Sequence, residues 1–205
     1  MPHQNQQKRS EMKKNSTNSE TLYTVTVYSE NQVGLLNQIS NTFTRRSLNI
    51  WSLSVSASAM EGVHKFTITT RTTHDMIEKV VKQIEKRIDV VKAFYYTDDE
   101  IIFKEIALYK VDTDNLLNSG DFEGIVSRNN ARIVEMNRSF AVILKTGNEE
   151  ETQKLYKELS KFGVRQFVRS GRISVSKSMD EPVNSFIKMR DMEGDKLQNA
   201  EKDIQ

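Results

Sequence analysis

Apolar and polar residues alternate from Leu22 to Tyr28, which sets Tyr23, Val25 and Val27 on one face of a strand. Glu30-Asn31-Gln32-Val33-Gly34 breaks the alternation, and Leu36, Ile39 and Phe43 then recur at helical spacing across Gly34 to Arg46. Arg45-Arg46 reads as a solvated pair at the C-terminal end of that helix, where cations meet the carbonyl end of the dipole. Alternation returns from Asn49 to Ala57, with Trp51, Leu53 and Val55 sharing a face and Trp51 assigned to core or interface. Lys65 to Thr70 predicts a third strand and Asp75 to Ile88 a second helix, whose stripe is Ile77, Val80, Val81, Ile84 and Ile88. Val90 to Tyr96 closes the unit as a fourth strand. The order βαββαβ is the ferredoxin-like arrangement, four antiparallel strands with two helices on one face.

The order repeats after the acidic break Asp98-Asp99-Glu100. Ile106 to Val111 predicts a strand, Phe122 to Asn129 a helix entered through the turn Asn118-Ser119-Gly120-Asp121, and Arg132 to Met136 and Phe140 to Lys145 two more strands. Glu149 to Phe162 predicts a helix carrying Leu155 and Leu159 and ended by Gly163, and Val164 to Val168 begins the last strand. The fold class is α+β, two tandem ferredoxin-like domains: a disordered tail at 1–20, a first domain at 21–97, a second at 98–176 and a charged tail at 177–205. The N-terminal tail has too little apolar surface to offset the entropy of ordering it, while the C-terminal one, whose only apolar cluster is Phe186, Ile187 and Met189, is either a tail or a short helix that orders on a partner.

Composition narrows the function. Lys+Arg 30 against Asp+Glu 28 leaves a formal charge of +2, too little to hold nucleic acid or an anionic membrane by charge alone. With no cysteine there is no disulfide, thiolate nucleophile or cysteine-based metal site, and His3, His64 and His74 lack metal-ligand spacing. A mean hydropathy of -0.60 and short apolar runs argue against a membrane span, and no apolar core marks a secretory signal in the first twenty residues, so the expected location is the cytoplasm. No GxSxG, P-loop, GxGxxG or HExxH is present, and the carboxylates sit among lysines at i,i+4, as Glu78 and Lys82 do, a solvated-face pattern. The chain reads as non-catalytic.

What stands out is Glu30-Asn31-Gln32-Val33-Gly34-Leu35-Leu36, a strand running through Asn and Gly directly into a helix. Free N–H groups at the positive end of a helix dipole suit a small carboxylate, and Gly34 lets a ligand approach the backbone. On spacing alone two readings stand: Asn31 and Gly34 bind a ligand, or Asn31 caps the helix and Gly34 permits the turn. Asn49 likewise is a second site amide or an Asn satisfied by turn backbone.

The run Glu30 to Ile39, followed by Phe43-Thr44-Arg45-Arg46 and Asn49-Ile50-Trp51-Ser52-Leu53-Ser54-Val55, resembles an ACT domain. More narrowly it resembles the regulatory small subunits of acetohydroxyacid synthase, also called acetolactate synthase. Lys82 to Lys92, Lys104 to Val111 and Val168-Arg169-Ser170-Gly171 continue the resemblance, which spans about Thr21 to Ser176. It implies a regulatory subunit, not an enzyme, that activates a large catalytic subunit and confers feedback inhibition by a branched-chain amino acid, typically valine. Thiamine diphosphate, Mg²⁺ and FAD are then expected on the catalytic subunit and no cofactor on this chain. It also implies a homodimer with the effector between two ACT domains, Asn31, Gly34, Leu35 and Leu36 coming from one protomer and Asn49 and Ile50 from the other. The chain departs from the family pattern at Ser47, where a glycine is usual, and at Ser56-Ala57-Ser58-Ala59 and His64-Lys65. The competing reading is a free-standing ACT-type amino-acid sensor acting on another partner such as a transcriptional regulator, against which stand the absence of a helix-turn-helix and the near-neutral charge.

Overall fold

The computed structural model describes residues 19–117, 120–179 and 183. Expectations for the tails at 1–18, 180–182 and 184–205, and for Asn118-Ser119 in the turn, lie outside the described residues. The described chain forms two compact units, one holding the residues up to Ile102 and those from Val175 on, the other Phe103–Ser174.

The first unit comprises β1 (Thr21–Glu30), α1 (Leu35–Thr44), β2 (Ile50–Ala57), β3 (Val63–Thr72), α2 (His74–Ile84) and β4 (Val90–Tyr96). Its sheet runs β2-β3-β1-β4, all neighbours antiparallel. Tyr23, Val25 and Val27 enter the core with Phe66, Ile68 and Ala93. Both helices cover this face, α2 through Ile77, Val80, Val81 and Ile84. The opposite face mixes hydroxyls with aromatic rings: Thr24, Thr26, Thr67 and Thr69 are buried, the Ser52 and Thr69 hydroxyls lie 2.7 Å apart, and Tyr28 meets Phe94 edge to face.

Three expectations shift by a residue or more, each for a local reason. Helix α1 starts at Leu35, so the inward stripe is Leu35, Ile39 and Phe43 at i, i+4, i+8; Leu35 is 1% exposed while Leu36 is left 46% exposed. Helix α2 ends at Ile84 and the chain turns through Arg87 N–H to Ile84 carbonyl, 3.1 Å, so Ile88 leaves the stripe and is 96% exposed. In β2 the register with β3 slips between Ile50 and Ser52, a bulge that places Trp51 61% exposed while Ile50 and Leu53 pack on the core.

Arg46 is not a solvated helix end. Its guanidinium donates from Nε (3.1 Å) and Nη2 (2.8 Å) to Gln83 Oε1, which ties the C-terminal end of α1 to α2. Ser47 follows in the left-handed region at φ 55°, a conformation that costs a Cβ-bearing residue on the order of 1 kcal/mol. Ser47→Gly should therefore raise the stability of the first unit by about 1 kcal/mol. Matched urea titrations of wild type and variant check this, and an unchanged or lower midpoint contradicts it.

The second unit takes in most of β5 (Ile101–Asp112), two short helices α3 (Thr113–Leu117) and α4 (Phe122–Arg128), β6 (Arg132–Met136), β7 (Phe140–Gly147), α5 (Glu149–Ser160), β8 (Val164–Arg169) and the first half of β9 (Ile173–Ser176). The sheet order is β6-β7-β5-β8, with β9 also pairing β5; neither α3 nor β9 was expected from the sequence. Leu155 and Leu159 are buried as their spacing predicts, and α5 opens on a capping box between Asn148 and Glu151. Tyr109 donates to the Thr152 carbonyl at 2.6 Å, and burial pushes its phenol up to about 12. Glu105 is buried between Arg169 (3.3 Å) and Arg172 (3.6 Å), and desolvation raises its carboxyl above the usual range, only partly opposed by the two guanidinium groups. The sheet face away from the helices is aliphatic and open, with Ile106, Leu108 and Val168 all exposed.

Candidate effector site

Everything at the end of β1 follows from one reversal of the chain. Glu30 N–H donates to the Asp89 carbonyl (2.9 Å) and Asn31 N–H to the Gly62 carbonyl (3.2 Å), so the turn is strapped to the loop before β4 and to the β2–β3 hairpin. Gly34 then occupies the N-cap position of α1 at φ 84°, where a residue with a Cβ is strained. No side chain caps the helix, and its first turn holds no acidic residue. Asn31 is therefore not the cap that one reading of the sequence made it; its side chain is exposed and makes no hydrogen bond within the described residues.

The first helical bond runs from Gln38 N–H to the Gly34 carbonyl, 3.1 Å. The N–H groups of Leu36 and Asn37 precede it in the first turn and have no partner among the described residues, as the geometry of a helix start requires. They lie at the positive end of the helix dipole with no competing carboxylate on the helix itself.

Beside this turn is an open groove of about 480 Å³ whose walls include Glu30, Asn31, Gln32, Glu61, Gly62 and Val63. Donors for an anion thus sit on the helix, and two carboxylates, Glu30 and Glu61, line the groove next to Asn31. Each suits one charge of a zwitterion: the helix amides an acid group, the groove carboxylates an ammonium. Val33 and Leu36 project apolar side chains at the same turn and are exposed. The sequence flagged the Asn–Gly turn but missed Glu61, Gly62 and the Asp89 strap. Their only signal is Glu61-Gly62 as a hairpin turn, and nothing in its spacing links it to Asn31.

The six expected residues do not meet within one chain. Asn31, Gly34, Leu35 and Leu36 gather at the end of β1, where Leu35 turns its side chain into the core and its N–H to the Gln32 carbonyl (3.4 Å). Asn49 and Ile50 lie at the opposite end of the sheet. Glu30 pairs with Val63 and Ile50 with Thr70, seven residues further along β3, which is about 23 Å in an extended strand. The Asn49 side chain is exposed there, while its carbonyl accepts from Thr70 Oγ1 at 2.8 Å.

The two edges of the sheet differ. On β4 the Ala93 N–H that faces outward is taken by Glu85 Oε1 (3.3 Å), itself paired with Lys92 Nζ at 2.7 Å, so that edge is guarded by a side chain. On β2 the exposed indole of Trp51 stands next to Asn49 and Ile50. Among the described residues there is no cluster of His, Asp or Glu arranged for a metal, and no helix is long and apolar enough to cross a membrane.

Comparison with known proteins is consistent over both units. Residues 25–92 match the family described as AHAS small subunit-like ACT domain, and residues 104–178 the family described as small subunit of acetolactate synthase. The chain is 30% identical over 161 residues to the acetolactate synthase small subunit of Mycolicibacterium smegmatis, covering 78% of this chain and 94% of that one. It is 28% identical over 162 residues to the acetolactate synthase small subunit of Bacillus subtilis, with the same coverage of 78% and 94%. The crystal structure of the acetolactate synthase small subunit from Thermotoga maritima superposes with a TM-score of 0.70 over 78% of this chain and 99% of that one, at 24% identity.

Proposed function

Because the chain belongs to the family of acetolactate synthase small subunits, we propose that it regulates a separate catalytic subunit, raising its activity and inhibiting it when a branched-chain amino acid, valine foremost, fills the turn at the end of β1. The chemistry that joins pyruvate to a second 2-oxo acid, with thiamine diphosphate, Mg²⁺ and FAD, belongs to that catalytic subunit. This chain supplies binding and control.

The observation that carries the reading is the division of the site between opposite ends of one sheet. Strand β2 runs in the same direction as β1, and its end at Ala57 pairs with His64, beside the turn bearing Asn31. Antiparallel pairing of β2 with β2 of a second copy sets the start of one strand against the end of the other. Asn49 and Ile50 of that copy then arrive at the end where Asn31 and Gly34 lie, and the two-fold makes two such sites. The guarded β4 edge and the exposed Trp51 on β2 favour this edge over the other. In the assembled site the Leu36 and Asn37 N–H groups take the effector carboxylate, Asn31 and the groove carboxylates take its ammonium, and Val33, Leu36 and Ile50 surround a branched aliphatic side chain.

The test is reconstitution. Alone, the protein should form no acetolactate from pyruvate in the presence of thiamine diphosphate, Mg²⁺ and FAD. Added to its cognate catalytic subunit it should raise the rate, and valine should then lower it. Turnover by this chain alone, or a mixture whose rate it does not change, overturns the reading. Sedimentation should give a dimer or larger, and a monomer at high micromolar concentration with and without valine contradicts the assembled site.

A further inference from the structure

We propose that Arg87 is a positioning residue for the effector-binding end of α1, an inference that rests on reading that end as the effector site. It lies beyond the end of α2, 53 residues from Gly34 in sequence, and nothing in the Asn–Gly turn points to it.

The geometry is a fork around one residue. Arg87 Nη1 donates to the Gln38 side-chain oxygen at 2.7 Å, and Nη2 donates to the Gln38 backbone carbonyl at 2.8 Å and to Thr42 Oγ1 at 3.4 Å. Gln38 is the residue whose N–H closes the first turn of α1 on the Gly34 carbonyl. Gripping both its backbone and its side chain therefore fixes the turn that presents the Leu36 and Asn37 N–H groups. That grip matters because no side chain caps the turn: the N-cap is a glycine, and Leu35 holds the helix start only through its buried side chain and a 3.4 Å bond from its N–H to the Gln32 carbonyl. The same loop straps the other side of the site, through the Asp89 carbonyl to Glu30 N–H. Arg87 through Asp89 thus hold the β1–α1 reversal from both ends.

A planar guanidinium can take two oxygens at once, whereas an ammonium is a single point of charge. Positioning and simple electrostatic attraction of the effector carboxylate therefore predict different outcomes for Arg87→Lys. Arg46 offers a matched control, since it ties the far end of α1 to Gln83 with bonds of similar length.

The experiment uses the full chain. Amide hydrogen exchange of Gln38 and Ile39 is measured without ligand, and valine is titrated calorimetrically into wild type, Arg87→Ala, Arg87→Lys and Arg46→Ala. The expected result is faster exchange at Gln38 and Ile39 and about tenfold weaker valine binding in Arg87→Ala, with most of both losses persisting in Arg87→Lys and neither appearing in Arg46→Ala. Unchanged exchange and affinity in folded Arg87→Ala overturn the proposal, as does full recovery in Arg87→Lys or equal losses in Arg46→Ala. If Arg87→Ala does not fold, the Arg87→Lys and Arg46→Ala pair decides. Should wild type bind no valine, the effector reading fails, and the exchange data still decide whether Arg87 holds the turn.

Discussion

Gly34→Asp should abolish measurable valine binding, and with it feedback inhibition, while the protein stays folded. Gly34 sits at the N-cap of α1, beside the free N–H groups at the positive end of the helix, and a Cβ built there meets nothing within 4 Å. Room is therefore not the obstacle to folding. The cost is the φ of +84°, on the order of 1 kcal/mol for an aspartate, which tolerates this region better than most residues. The introduced carboxylate takes the place of the effector's own and repels it. Loss of one charge-assisted hydrogen bond alone is worth roughly 1.5–3 kcal/mol, a tenfold or larger fall in affinity. Asn31→Ala and Asn49→Ala should act in the same direction and more mildly. Gly34→Ala carries the same backbone strain without the charge, so it should retain most of the binding that Gly34→Asp loses. Titration of valine, leucine and isoleucine into each variant, beside circular dichroism, decides the matter. A folded Gly34→Asp that binds as wild type does places the site elsewhere.

Phe43→Ala should be the most damaging single truncation in the first unit. Phe43 is fully buried in the last turn of α1, in the same core cluster as Leu35, Ile39, Ile68 and Ile77. Its carbonyl also accepts from Leu48 N–H (3.1 Å) and Arg46 N–H (3.0 Å), so the turn leading to β2 hangs on the same residue. Removing a buried phenyl ring costs about 3–5 kcal/mol through lost transfer energy and the cavity left behind. For a unit of this size that is a fall in melting temperature of about 12 °C or more. Because α1 carries the amides of the candidate site, valine affinity should fall with the folded fraction. Differential scanning calorimetry measures the first effect, and a shift of only a few degrees would mean that the helix is held by something other than its core face.

The residues behind these two effects differ in how far the sequence reveals them. Phe43 was legible, because its period with Ile39 marks an inward helix face from spacing alone. Gly34 was half legible. A glycine between a strand and a helix announces a turn, but the free amides, the missing cap and the positive φ depend on where the helix begins, and the hydrophobic pattern placed that start one residue early. The same shift exchanged Leu35 and Leu36 between core and surface. The face that Trp51 was expected to share with Leu53 failed for a related reason, since alternation assumes an unbroken register and a one-residue bulge reverses the face without leaving a mark in the composition. Arg46 looked like a solvated cation because Gln83, its partner, is 37 residues away.

By itself the sequence determined the two βαββαβ units, the faces of their strands and helices that form the cores, the absence of thiol chemistry, and the turn on which regulation is proposed to depend. These are local or periodic properties, set by the alternation of side chains across a strand and their recurrence along a helix. Only the tertiary structure decided which groups from distant segments meet there. It brought Glu61 and Gly62 of the β2–β3 hairpin to the walls of the groove, bonded Arg87 and Asp89 to the two sides of the β1–α1 reversal, and set Asn49 at the opposite end of the sheet from that turn in the same chain. Such placements follow from strand order and register, which pair residues far apart in sequence. A single sequence carries no term for them.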